Sequence, residues 1–200
     1  TTSHYVDEII SIAKPHLDIK SGIKTNELIE HFETYPDTIQ NNIIEKLIGK
    51  HIHGIEKQID STNSKLDDNA RVANKLGFEL YKNTQVDIKQ LQAVLTKSDL
   101  KYQLIADKLS EAILDCSIGF FNELRDSNND PSKDALQLAL HAKDIAISEK
   151  TIDRIKKNYS TMKKWADEKP VRTIIKPLIS KLEKYQSKVE SSAIKPRYEI

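Results

Sequence analysis

Asp126, Asn128, Asp130 and Asp134 lie at the first, third, fifth and ninth positions of the stretch DSNNDPSKDALQ, the spacing with which an EF-hand loop gathers oxygen ligands around calcium. Calcium also requires a sharp turn at the sixth position, normally glycine, and a bidentate glutamate at the twelfth. Here those positions hold Pro131 and Gln137. A neutral amide cannot close the calcium shell with two carboxylate oxygens. Asp130 followed by Pro131 instead spells a helix start, a capping carboxylate and then a residue whose missing N–H costs nothing in the first turn. The stretch reads as a connector between two helices.

Other chemistry-bearing residues are as sparse. His51 and His53 form an H-x-H, but on a continuous helix residues two apart point about 200° from one another and cannot share a metal. His53 with Glu56, and Glu27 with His31, are single pairs rather than three-ligand sets. There is no H-E-x-x-H, no E-x-x-H of the di-iron bundles and no glycine-rich phosphate loop. None of the five arginines is followed four to six residues later by histidine, as a helical nuclease of the HEPN kind would want. Cys116 falls between Ala112 and Phe120 on an apolar stripe, the place of a packed small hydrophobe rather than a nucleophile. We therefore expect no catalytic residue, no metal ligand and no cofactor.

The elements that would carry any site are helices. Five Gly and six Pro in 200 residues leave few turns, and no alternating apolar–polar run marks a strand. The fold class expected is all-α, with seven to nine mostly antiparallel helices in a hairpin bundle or a short solenoid-like array. One domain is expected, with residues 1–97 and 98–190 as two layers and an irregular tail at 191–200.

A first helix should bury Val6, Ile9, Ile10, Ala13 and Leu17, with Pro15 kinking or ending it. A short amphipathic piece from Asn26 to Glu33 would bury Leu28, Ile29 and Phe32. The next helix, capped by the Thr34 hydroxyl ahead of Pro36 and Asp37, should run to Asp60 and break at Ser61–Ser64. A further break is expected at Asn83-Thr84, followed by a shorter helix from Val86 to Lys97. The plainest stripe is Ile105, Leu109, Ala112, Ile113, Cys116, Phe120 and Leu124, in steps of three and four. Ala135, Ala139, Ala142 and Ala146 follow, a row of small side chains that lets a neighbouring helix approach closely. Ile152, Ile155, Tyr159, Met162 and Ala166 mark another helix. After Lys169-Pro170, a last helix is expected to bury Ile174, Leu178, Leu182, Tyr185 and Val189.

The run from Tyr102 to Asn158 (YQLIADKLSEAILDCSIGFFNELRDS, DALQLALHAKDIAIS, TIDRIKKN) resembles a helical region of uncharacterised bacterial proteins, some of which carry tetratricopeptide-like repeats or a J domain elsewhere. The resemblance implies helical packing and a tendency toward protein–protein contact. No second unit repeats the Gly119 and alanine pattern at the 34-residue tetratricopeptide period.

Charge supplies the candidate surface. Residues 151–200 hold 13 Lys and Arg against 6 Asp and Glu, whereas residues 1–150 hold 18 against 24. Lys156, Lys157, Lys163, Lys164, Trp165, Lys169 and Arg172 form the candidate partner-binding face. The expected function is a non-catalytic helical interaction or scaffold module with a protein partner, a homodimer included. The alternative is a nucleic-acid-associated module in which Trp165 stacks among the lysines. A small-molecule pocket between helices is third. No run approaches the ~20 apolar residues of a membrane span. A lone cysteine, which excludes an internal disulfide, suits the cytoplasm. The opening TTSHYVDE, without an initiator Met, reads as a piece of a longer bacterial protein.

Overall fold

The computed structural model describes residues 2–13, 33–127 and 129–193. Among these are seven α-helices and a 3-10 turn, and no strand. They are α1 (Thr2–Ala13), α2 (Asp37–Asp68), the 3-10 turn Ala70–Val72, α3 (Ala73–Val94), α4 (Leu100–Leu124), α5 (Ser132–Ile145), α6 (Glu149–Asp167) and α7 (Lys169–Ala193). The all-α class expected from the spacing of apolar residues is the class observed.

Cross-helix bonds fix the directions. Ser110 Oγ donates to the Ala142 carbonyl and Ser117 Oγ to that of Ala135, both at 2.7 Å, so numbers rise on α4 as they fall on α5. Arg71 with Glu123 and Gln92 with Tyr102 run in the same opposed sense between the α3 region and α4. By contrast, Glu56 pairs with Lys108 and Glu45 with Lys101, so α2 runs parallel to α4. Asp107 with Ser148 and Asp115 with Arg154 set α6 parallel to α4 as well. Helices α2, α4 and α6 therefore point one way and α3 and α5 the other, a zigzag of antiparallel hairpins. Contacts between α2 and α4, α3 and α5, and α4 and α6 complete two interleaved layers. One buried cluster runs from Ile48 to Met162, so a single core crosses the division expected near residue 97. α1 lies apart from it, with Ile9 and Ile10 packed on Ile43.

Helix α4 is the hub, touching α2, α3, α5 and α6. Tyr102, Ile105, Leu109, Ile113, Leu114, Cys116 and Phe120 are buried along it. The alanine row has the role its size implies: Ala135, Ala139 and Ala142 have no exposed surface, and the two serine hydroxyls bridge the close contact. On the other side Gly77 admits Leu138, whose Cδ2 lies 2.9 Å from where a Cβ on Gly77 would sit.

Several expected boundaries are corrected. α2 continues through Ser61–Ser64 to Asp68, with Thr62 buried, and the chain breaks only at Asn69, whose side chain accepts the Arg71 N–H at 3.0 Å. α3 likewise passes through Asn83-Thr84, because the buried Thr84 hydroxyl satisfies itself on the Leu80 carbonyl at 2.7 Å. At the start of α2 no side chain caps the helix. Instead of the Thr34 hydroxyl, Gln40 Nε2 secures the entry by donating to the Glu33 and Tyr35 carbonyls. The piece expected from Asn26 lies, apart from Glu33, outside the described residues, as do Pro15, Leu17 and the tail after Ala193.

The α5–α6 corner depends on a carboxylate from a third helix. Asp107, half-buried on α4, accepts the Ile147 N–H at 2.8 Å and the Ser148 N–H at 3.2 Å. Hydrogen bonds to a charged acceptor contribute about 1.5–3 kcal/mol. Asp107→Ala is accordingly expected to lower the free energy of unfolding by that amount, read from urea melts, with Asp107→Asn losing less because its amide oxygen still accepts.

Candidate interaction surface

The side chains of the calcium-like stretch diverge. Asp130 Oδ1 accepts both the backbone N–H and the hydroxyl of Ser132, at 3.0 and 2.6 Å, and Oδ2 accepts Lys169 Nζ at 2.6 Å. Asp134 Oδ2 accepts from Asn74 on α3, and Asp126 faces Arg125. Asn128 lies outside the described residues. Among the described residues no three metal-ligating side chains converge. The stretch is the start of α5 and the anchor of α7. The Lys169 ammonium first, and the Ser132 hydroxyl after it, lower the Asp130 pKa to about 2.

A depressed carboxylate pKa contributes stability that is present above the ordinary carboxylate range and is lost as pH falls through the folded value. The melting temperature should therefore decline more steeply between about pH 4 and pH 2 in the native chain than in Asp130→Asn. Parallel slopes would show that this pair contributes nothing.

His51 and His53 ride on an unbroken α2. His51 Nδ1 meets Asp87 Oδ1 at 2.7 Å across to α3, while His53 is exposed. Cys116 is buried, and burial, with the Asp115 charge behind it, pushes its thiol up to about 12. At that value it is a neutral packing group at ordinary pH.

The basic face is partly neutralised by its own carboxylates. Lys156 pairs with Asp153 at 3.2 Å, Lys163 with Asp167 at 3.6 Å, Lys164 with Glu168 at 3.9 Å and Lys169 with Asp130. Lys157 is exposed, and the Arg172 side chain lies outside the described residues. Trp165 is half-buried and meets Phe121 edge-on, with ring centres 5.2 Å apart, so its indole closes the edge of the core. The lysines nonetheless stay exposed, and Trp165 keeps part of its ring in solvent. An open cleft of about 400 Å³ runs beside Ser160, Lys163, Lys164 and Val171 where α6 turns into α7.

The apolar surface that sequence reasoning buried is the one the structure exposes. Ile174, Leu178, Leu182, Tyr185 and Val189, expected in the core, stand between 54% and 67% exposed. Val171, Ile175 and Ile179 extend the same stripe. After the turn at Glu168, α7 leaves the body, and its backbone comes near no described element other than α6. The period of the stripe was legible, but what would lie against it was not. No helix among the described residues is long and apolar enough to cross a membrane. No family model matches the chain, and neither a curated protein nor a solved structure matches it.

Proposed function

We propose that the chain is a non-catalytic helical interaction module, a hairpin array that presents α7 as its contact element. The observation that carries this reading is the exposed apolar stripe of α7, eight large side chains from Val171 to Val189 on one helix face. Soluble proteins rarely leave so long a contiguous apolar surface exposed unless it meets a partner. Helical energetics point the same way. Pro177 lies inside α7 and removes a backbone hydrogen bond at a cost of about 3 kcal/mol. A helix without core burial draws little stability from propensity alone, so burial against a partner is what would offset that cost.

The test is affinity capture from nuclease-treated bacterial lysate at low and high salt, with the native chain and Leu178→Glu/Leu182→Glu as paired baits. These positions are 54% and 63% exposed, so the double variant keeps the core intact. A protein held by the native chain at high salt and lost by the variant supports the module. Equal capture by both baits, or capture that needs nucleic acid, overturns it.

A further inference from the structure

We infer that the occupant of the α7 stripe is a second copy of α7, paired parallel and in register as a short two-stranded coiled coil. The inference rests on α7 being the contact element. Val171, Ile175, Leu178, Leu182, Tyr185 and Val189 advance in steps of four, three, four, three and four, the alternation that keeps one seam facing a partner helix. In heptad terms Ile175, Leu182 and Val189 take the a positions and Val171, Leu178 and Tyr185 the d positions. β-Branched residues dominate a, as two-stranded pairs prefer.

The flanks select the direction. In a parallel pair each g position meets the e position five residues on in the other helix. Ile174 then meets Ile179, which widens the apolar seam, and Lys181 meets the uncharged Gln186. An antiparallel pair would set Lys181 against its own copy and Ile174 against Lys188. Pro177 falls at c, away from the seam. Area sets an upper bound of the right size: wholly covered, the eight side chains would bury roughly 900 Å² per copy, against about 800 Å² per partner in a stable specific interface.

Charge separates self-pairing from binding to an anionic lipid surface on the same stripe. Glu183 and Glu190 are exposed and border it on the Ile179 flank, and Lys181 and Lys188 are exposed and border it on the Ile174 flank, where they would meet headgroup phosphates. It also fixes the sign of the salt effect. α7 carries six basic residues against two acidic, so two copies repel and added salt should tighten their pairing. Lipid or nucleic-acid binding would weaken instead.

Sedimentation equilibrium of the full chain across the micromolar range, at low and high salt, is the experiment. The expected result is a monomer–dimer equilibrium that tightens with salt and weakens on the order of 100-fold in Leu178→Glu/Leu182→Glu. The register is read with Tyr185→Cys under mild oxidation. Cys116 is buried and stays silent, so a parallel in-register pair gives a covalent dimer through the introduced thiols. A monomer at every concentration overturns the inference, as does a dimer indifferent to the double variant, or one that Tyr185→Cys fails to link. Binding of the native chain to phosphatidylserine vesicles without self-association would overturn it in favour of lipid. A monomer whose lysate capture is still lost in the double variant sinks the self-pairing but leaves the interaction module standing. Loss of both sinks both.

Discussion

Leu138→Ala is expected to remove about 2–5 kcal/mol from the free energy of unfolding, the range for truncating a leucine in a packed core. Leu138 has no exposed surface and fills the notch between Gly77 on α3 and Cys116 on α4. Its truncation loses the transfer free energy of the removed carbons. It also leaves a cavity that three crossing helices cannot collapse without breaking the serine bridges to Ala135 and Ala142. For a chain of this size each kcal/mol moves the melting temperature by roughly 2–4 °C, so the drop should be easily read by circular dichroism. The urea dependence should keep its slope while the midpoint falls. Leu182→Ala is the control. At 63% exposure on α7 it should shift the unfolding free energy of the dilute chain by no more than about 0.5 kcal/mol. Equal losses for the two variants would mean that α7 is packed against the body in solution.

Gly77→Val should cost about 1–3 kcal/mol even though valine is the better residue for a helix interior. A Cβ at Gly77 would sit 2.9 Å from Leu138 Cδ2 and 3.0 Å from Cys116 Cβ. The leucine tip can rotate away, but Cys116 Cβ is fixed to the α4 backbone and yields only if the helices separate. The branched methyls of valine deepen the collision. Gly49 provides the opposite case within the same protein. A Cβ there meets nothing within 4 Å, so Gly49→Ala should stabilise by about 0.5–1 kcal/mol through helix propensity alone. Thermal melts of both variants measure the contrast. A stabilising Gly77→Val would show that α3 and α4 do not approach as closely as described.

The helices most legible in the sequence were those whose apolar steps are uninterrupted. The stripe from Ile105 to Phe120 matches buried positions on α4, with Leu124 half-buried at its end, and the alanine row announced a close helix contact that Ser110 and Ser117 bridge. Polar residues misled where tertiary or local bonds satisfy them. Thr62 and Thr84 look like helix breakers in a sequence, yet both are buried within long helices, Thr84 with its hydroxyl on its own backbone. Asp107 is the converse. Nothing in its neighbourhood marks it as the acceptor for a corner 40 residues away, because that role arises only when α4 and α6 lie side by side.

By itself the sequence determined the fold class, the helical stripes and the reading of Asp130–Pro131 as a helix start. All three follow from local periodicity and capping chemistry. Only the tertiary structure decided which stripes are covered. A period of three and four says that an apolar face must be buried, not by what, since the same spacing serves a core helix and a helix that waits for a partner. Helices α2 to α6 cover one another, and α7, turned outward at Glu168, does not join them. The same tertiary choice took Trp165 from the basic face into the edge of the core, whereas the carboxylates beside Lys163 and Lys164 follow from the i,i+4 spacing of the helix itself. A stripe expected in the core thus stands in solvent on α7 while the lysines of α6 stay exposed as expected, because burial is decided by which helices meet and not by composition.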